Sequence, residues 1–248
     1  MQATQKLPAR SCIVGHNPIG ESMQVAGVIL CGGESRRMGR PKAMLPFGSQ
    51  TVLARIVLAL ATVADPIVLV RRPQQQLPPL PAVWPMPDQP PDFSQGRAPR
   101  LIVAEDIFAG LGPLAGMHAA FVALQGKASH ALVVSCDVPL IRAAFLSRLM
   151  ALLEQANNSR PPETPPFLAC VPITGQQQHP LVALYACDVL PVVERLLQAG
   201  RLRPAFLLQE ILVRWVEEQE WQDIDPDSLS LFNINTPADY EAALRHAT

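Results

Sequence analysis

The stretch GVILCGGESRRMGRPKAMLPFG, residues 27–48, breaks an apolar run with two glycines and follows it with Arg36, Arg37 and Lys42. Gly32, Gly33 and Gly39 have no Cβ, so backbone N–H groups there can approach anionic oxygens closely. Arg36 or Arg37 can grip a phosphate bidentately, while Lys42 adds a compact charge. The pattern is neither the GxxxxGK[ST] loop nor the GxGxxG of dinucleotide binders. A structural turn with solvated charges is the alternative that these residues alone leave open.

Groups of the complementary sign come later in the chain. Asp137 emerges from the apolar run ALVVSC and precedes Val138-Pro139. A carboxylate in that place must be solvated, paired or bound to a cation. Mg²⁺ favours one or two carboxylates together with substrate phosphates, which makes Asp137 the best metal ligand, with a helix N-cap as the alternative. Asp106 ends RLIVAED; it could face a ribose or a base edge, or cap a turn. Gly112 and Gly116 in GPLAG permit close approach of a ligand or of another backbone. His179 sits on a loop at a strand entrance, where a lone histidine is more often structural than catalytic. Asn233 and Asn235 flank Ile234, so on a strand both amides share one side. They suit ligand binding, and Asn235 with Thr236-Pro237 equally suits a cap on the last helix. Cys31 and Cys136 read as small buried thiols at strand ends.

These residues need elements to position them. Apolar runs predict strands at 25–31, 66–71, 100–106, 131–137, 167–173, 181–187 and 231–235. Helical spacing predicts helices at 51–63, 113–124, 142–156 and 188–199, with a closing helix after the last strand. Continuous apolar strands separated by helices imply a doubly wound α/β fold with a mostly parallel sheet covered on both faces. Ligands of such sheets gather outside the carboxyl ends of the strands. Gly32-Gly33, Glu105-Asp106 and Asp137 all fall there, a combination that suits a nucleoside triphosphate with a divalent metal.

Composition sets the outer bounds. With 248 residues, 49% of them hydrophobic, the chain can form one large α/β domain or two small ones. A net charge of −1 gives no global field for nucleic acid or a membrane surface. The five cysteines form no CxxC pair, which points to a reduced, cytoplasmic protein. Residues 1–23 read as a flexible leader, and the domain is expected over 24–248. Prolines crowd residues 73–99, which read as a surface insert, with a polyproline docking segment as the alternative.

Taken in order, LCGGESRRMGRPK, AED, GPLAGM, CDVP, QHPLVALY, LLQAG and NINTP resemble the landmarks of the molybdenum cofactor guanylyltransferases. These are MobA-like members of a nucleotidyltransferase group that also contains cytidylyltransferases of the same cofactor. The resemblance spans about residues 25–245 apart from the proline insert. It implies a single Rossmann-like (GT-A-like) domain, Mg²⁺, and transfer of GMP from GTP to molybdopterin with release of pyrophosphate. It also implies that Leu30, Cys31, Gly32 and Gly33 open the nucleotide loop and that Lys42 meets the triphosphate, with Arg37 beside it. Asp106 becomes a nucleotide-binding aspartate and Asp137 the metal-binding one, while Gly112, Gly116, His179, Asn233 and Asn235 fall on the acceptor side. Two departures stand out: only Arg40-Pro41 separates Gly39 from Lys42, and PIVLVRRP lacks the asparagine the family carries near the end of its second strand. Molybdoenzyme apo-proteins or their chaperones are the expected protein partners. The competing classes are a cofactor carrier without catalysis and a sugar-phosphate nucleotidyltransferase.

Overall fold

The apolar runs do form strands, and the computed structural model arranges them in one large sheet. It describes residues 23–32, 40–80, 99–108 and 110–246. Expectations placed on residues 1–22, on Gly33, Arg36, Arg37 and Gly39, and on 81–98 lie outside the described residues.

In chain order the elements are β1 (Val25–Leu30), the hairpin strands β2 (Pro46–Phe47) and β3 (Gln50–Thr51), α1 (Val52–Ala61), β4 (Ile67–Arg71) and β5 (Leu101–Glu105). Then come α2 (Pro113–Leu124), β6 (His130–Ser135), α3 (Ala143–Asn158), β7 (Ala169–Thr174), β8 (Gln177–Gln178) and β9 (Val182–Ala186). The chain closes with α4 (Leu190–Gln198), α5 (Pro204–Glu210), β10 (Val213–Glu217) and α6 (Pro237–Arg245). The main sheet runs β10-β7-β9-β6-β1-β4-β5, with β8 paired to β7.

The β6-β1-β4-β5 half is wholly parallel, as the sequence leads one to expect. The other half is mixed, because β9 runs antiparallel to both β6 and β7 while β10 is parallel to β7. Strand polarity was not legible: β9, buried along its whole length, carries the same unbroken apolar pattern as a parallel strand.

Alternate residues face opposite layers. Val25 and Ile29 of β1 join Leu53, Ile56 and Leu60 of α1 and Phe145 of α3 in one core. Ala26 and Val28 join α2, α4 and α5 residues in the other. Gly27 leaves room for the packing here, since a Cβ there would lie 2.6 Å from Ile67 Cδ1 and 3.3 Å from Leu60 Cβ and would push those side chains aside. Helix starts follow local chemistry. Thr51 caps α1 by accepting from the Ala54 N–H, Pro113 opens α2, and Thr236 with Asp239 forms a capping box at α6.

Residues 231–235 correct the expectation of a strand. Leu229–Leu231 is a short 3₁₀ turn, and 232–235 run on without joining the sheet. Asp225 accepts from the Leu229 and Ser230 N–H groups and holds the turn, and beyond it the Ile234 N–H donates singly to the Asp137 carbonyl rather than joining a ladder. The hairpin, α5 and β10 were not anticipated. VRWVE interleaves charge with apolar residues because β10 is an edge strand.

Candidate active site

The carboxyl ends of β1, β4, β5 and β6 surround a cleft of about 520 Å³. Leu30, Cys31, Gly32 and Lys42 line it on the β1 side, and Asp106, Gly112, Gly116 and Asp137 complete the set brought together from the sequence-predicted residues. Gly33 and Arg37 lie outside the described residues, and the cleft wall includes neither His179 nor the two asparagines.

Lys42 stands on a one-turn 3₁₀ segment, Lys42–Met44, just past the glycine- and arginine-bearing stretch of the sequence. Its Nζ lies 3.2 Å from Asp137 Oδ2 and donates to Asn235 Oδ1 at 2.8 Å. Asp137 follows the end of β6, and its carbonyl accepts the N–H of buried Ile234 at 2.8 Å. Three distant points of the chain thus meet at one corner. The Lys42 and Asp137 side chains are 18% and 20% exposed, so water and ligands can reach the pair. Asn235 therefore reaches the site through Lys42 rather than from a sheet face, while Asp239 supplies, with Thr236, the helix cap for which Asn235 was the alternative candidate.

Asp106 lies against β4, its N–H donating to the Arg71 carbonyl at 2.8 Å. One carboxylate oxygen accepts from the Phe108 N–H at 3.0 Å, so the turn-capping alternative is realised. The other oxygen points toward α2, 4.0 Å from the place a Cβ on Gly116 would occupy. Burial raises the Asp106 pKa, partly offset by the Phe108 N–H and the charge of His118. Gly112 has φ +87° and sits so close to the Leu202 carbonyl that a Cβ would come within 3.3 Å. Gly116 lets α2 pack onto Leu30, where a Cβ would also come within 3.3 Å.

His179 is buried, and its Nε2 pairs with Thr174 Oγ1 at 2.7 Å. Burial lowers its pKa and favours the neutral ring. Its surroundings are those of a structural histidine at the strand entrance. The Cys136 thiol shares a hydrogen bond with Cys31, and that bond together with burial holds it well above the ordinary thiol range. It acts as packing. Arg72, Ser135 and Leu181 also line the cleft and were not singled out from sequence. Arg72 and Ser135 could have been found by applying the strand-end rule to β4 and β6 as strictly as to β1.

The arrangement offers an ammonium beside an accessible carboxylate, a glycine approach and a second, half-sequestered acid. That is equipment for a polyphosphate and its counter-cation. A profile of the MobA-like NTP transferase domain matches residues 27–214. The chain belongs to the MobA-like NTP transferase family. It is 31% identical over 218 residues to a probable molybdenum cofactor guanylyltransferase of Pelotomaculum thermopropionicum, covering 88% of this chain and 90% of that one. A molybdenum cofactor guanylyltransferase of Desulfosudis oleivorans is 28% identical, with 88% and 94% covered. Among solved structures, the molybdopterin-guanine dinucleotide biosynthesis protein A of Archaeoglobus fulgidus superposes with a TM-score of 0.63 at 21% identity, covering 90% of this chain and 96% of that one. The 2-C-methyl-D-erythritol 4-phosphate cytidylyltransferase of Thermus thermophilus gives 0.56 at 17% identity, with 89% and 97% covered. At those identities the structural likenesses speak for the nucleotidyltransferase fold.

Proposed function

We propose that this nucleotidyltransferase moves GMP from GTP to the terminal phosphate of molybdopterin, forming the guanine dinucleotide cofactor and pyrophosphate. The observation that carries the reading is the approach of Lys42 Nζ to Asp137 Oδ2 at 3.2 Å, in the cleft at the carboxyl ends of the strands. The relatives named for the same transfer over nearly the whole chain support the choice of nucleotide and acceptor. A cytoplasmic setting and hand-over to molybdoenzyme apo-proteins or their chaperones belong to the same proposal, as does the division into a leader at 1–23 and an inserted 73–99.

A phosphate monoester has its second pKa near 6, so the acceptor is mostly dianionic at neutral pH and needs no dedicated base. Its oxygen attacks the α-phosphorus in line as the bond to the β-phosphate breaks. Lys42, released from Asp137 by the incoming polyphosphate, neutralises charge on the departing pyrophosphate, and Arg37 assists from the loop. Asn235 holds the ammonium in place during this exchange. Asp106 fixes the nucleoside, and Gly112 and Gly116 let the chain before α2 and α2 itself pack closely at the edge of the cleft where the acceptor enters.

The donor set fits a magnesium ion shared with substrate. Asp137 is accessible and Asp106 lies in the same cleft, and among the described residues no cluster of three or more acid, histidine or cysteine side chains forms a protein-only cage. Asp137 would hold that ion, which supplies charge neutralisation at the α-phosphoryl region when bound.

The test is pyrophosphate release and mass analysis of products with molybdopterin, Mg²⁺ and GTP, CTP or ATP in competition. GMP transfer dependent on Mg²⁺ and lost in Asp137→Ala is the expected result. A CTP preference would make the protein a cytidylyltransferase. Turnover with a sugar phosphate and none with molybdopterin would move the acceptor class, and GTP binding without pyrophosphate release would leave a carrier.

A further inference from the structure

With GTP as the donor, a reading on which this inference rests, recognition of the base falls to the segment after β4. Arg72 follows directly on the last residue of β4 and stands in the cleft wall. Its Cγ lies 3.5 Å from the place where a Cβ on Gly32 would be. Parallel pairing sets this neighbourhood, with Leu30 opposite Val70 and the Cys31 N–H donating to the Val70 carbonyl at 2.8 Å.

One glutamine then locks the two strand ends together. Gln75 Nε2 donates to the Cys31 carbonyl at 2.9 Å, and its Oε1 accepts the Arg72 N–H at 3.0 Å. Arg71 Nη1 donates to the Gln75 carbonyl at 3.0 Å. Gln74, at φ 64°, makes the left-handed step before Gln75, whose side chain reaches back to Cys31. A non-glycine residue in that conformation is uncommon and is tolerated here by this set of bonds.

Position along the sheet identifies what Arg72 meets. β6, β1 and β4 are successive neighbours, so Asp137 and Arg72 are separated by two strand spacings, about 10 Å. That is the reach of a nucleoside from its α-phosphorus to its base. With Lys42 and Asp137 at the phosphate end, a base lying two strands away would fall at the β4 end, where Leu30 and Val70 line the cleft. Guanine presents adjacent O6 and N7 acceptors on one edge, whereas adenine and cytosine place an amino donor there. A guanidinium has donors alone to offer.

We infer that Arg72 reads the base by donating to O6 and N7 of guanine, and that Gln75 is the positioning residue that aims it. One side chain thereby both accepts GTP and rejects ATP and CTP, whose amino groups would oppose its N–H donors.

The test compares kcat/KM for GTP, 7-deaza-GTP and CTP in the wild type, Arg72→Met, Arg72→Lys and Gln75→Leu, with calorimetric nucleotide binding as a second readout. The wild type should favour GTP over 7-deaza-GTP, which lacks the N7 acceptor, and over CTP by roughly 10- to 100-fold. Arg72→Met should collapse both ratios toward unity. Arg72→Lys keeps the charge without the fork and should lose most of the 7-deaza discrimination. Gln75→Leu should lower the ratios part of the way. A wild type indifferent to N7 overturns the assignment, as do Arg72 variants that weaken GTP, 7-deaza-GTP and CTP alike, the mark of a phosphate contact. A wild type that prefers CTP instead overturns the GTP reading itself, and is recognised before any variant is made.

Discussion

Asp137 and Asp225 are both aspartates tied to the same stretch of chain, and their surroundings are opposite. Asp225 has a side chain with no exposure; it accepts from the Leu229 and Ser230 N–H groups and faces Arg142 at 3.4 Å. Its lone pairs are spent on closing a turn. Asp137, one-fifth exposed, faces an ammonium that a ligand can displace, at the mouth of a cleft. Under the proposed function, the difference separates an acid that builds the fold from one left accessible to a substrate and its cation.

The sharpest way to break that contrast is to remove each carboxylate. Asp137→Ala should lower kcat/KM for pyrophosphate release by roughly 10²–10³-fold while leaving the urea midpoint near the wild-type value. Asp225→Ala should do the reverse. It leaves the Leu229 and Ser230 N–H groups without their acceptor, while Arg142 keeps water and the Ile224 carbonyl, so the cost in urea unfolding should be about 2–3 kcal/mol while the folded fraction turns over normally. If Asp225→Ala slowed turnover without destabilising, the division of labour between the two acids would fail.

Asn235→Ala sharpens the catalytic side. Losing a hydrogen bond to a charged donor costs about 1.5 kcal/mol, so kcat should drop roughly tenfold. Unchanged kcat would remove Asn235 from the positioning of Lys42.

Asp106 lies between the two extremes, one oxygen spent on a turn and the other toward the cleft. Because burial raises its pKa, it reprotonates at a higher pH than an ordinary aspartate. The kcat/KM for GTP should therefore show an acid limb displaced upward, with activity lost as pH falls through the raised value. Asp106→Asn should abolish the limb, and persistence of the limb in that variant would assign it to another group.

The smallest effect concerns His179, on the structural side. Its folded pKa is lowered by burial, so below the ordinary histidine value of about 6.5 the unfolded chain binds more protons than the folded one. Stability from keeping this ring neutral is present above that pH and is lost as pH falls toward the folded value. Urea midpoints on either side of 6.5 should differ less in His179→Gln than in the wild type, with His130, lowered for the same reason, keeping its share of the slope. An unaltered slope would exclude His179 as a contributor.

Legibility followed chain locality. The helix expected at 113–124 is α2 at Pro113–Leu124, because a proline at its start and an unbroken apolar stretch mark both ends. The strands ending at Leu30, Glu105 and Ser135 were readable for the same reason, and with them the sites of Gly32, Asp106 and Asp137. Features set by remote contacts were hidden. The reversal of β9 depends on its neighbours, and the turn at Leu229–Leu231 depends on a carboxylate several residues upstream. The meeting of Lys42, Asp137 and Asn235 was approached through resemblance, since no spacing along the chain encodes it. Arg72 was missed for a different reason: it followed a strand whose far end carried no glycine or acid to draw attention.

The hydrogen bond from the Ile234 N–H to the Asp137 carbonyl, with Tyr240 donating to the Pro46 carbonyl alongside, couples competence to the order of synthesis. Everything through α5 can emerge from the ribosome and begin to fold while Lys42 still lacks Asn235. Only after residue 235 has left the tunnel can that corner close, so a prematurely terminated chain would retain most of its sheet and yet be mute as a catalyst.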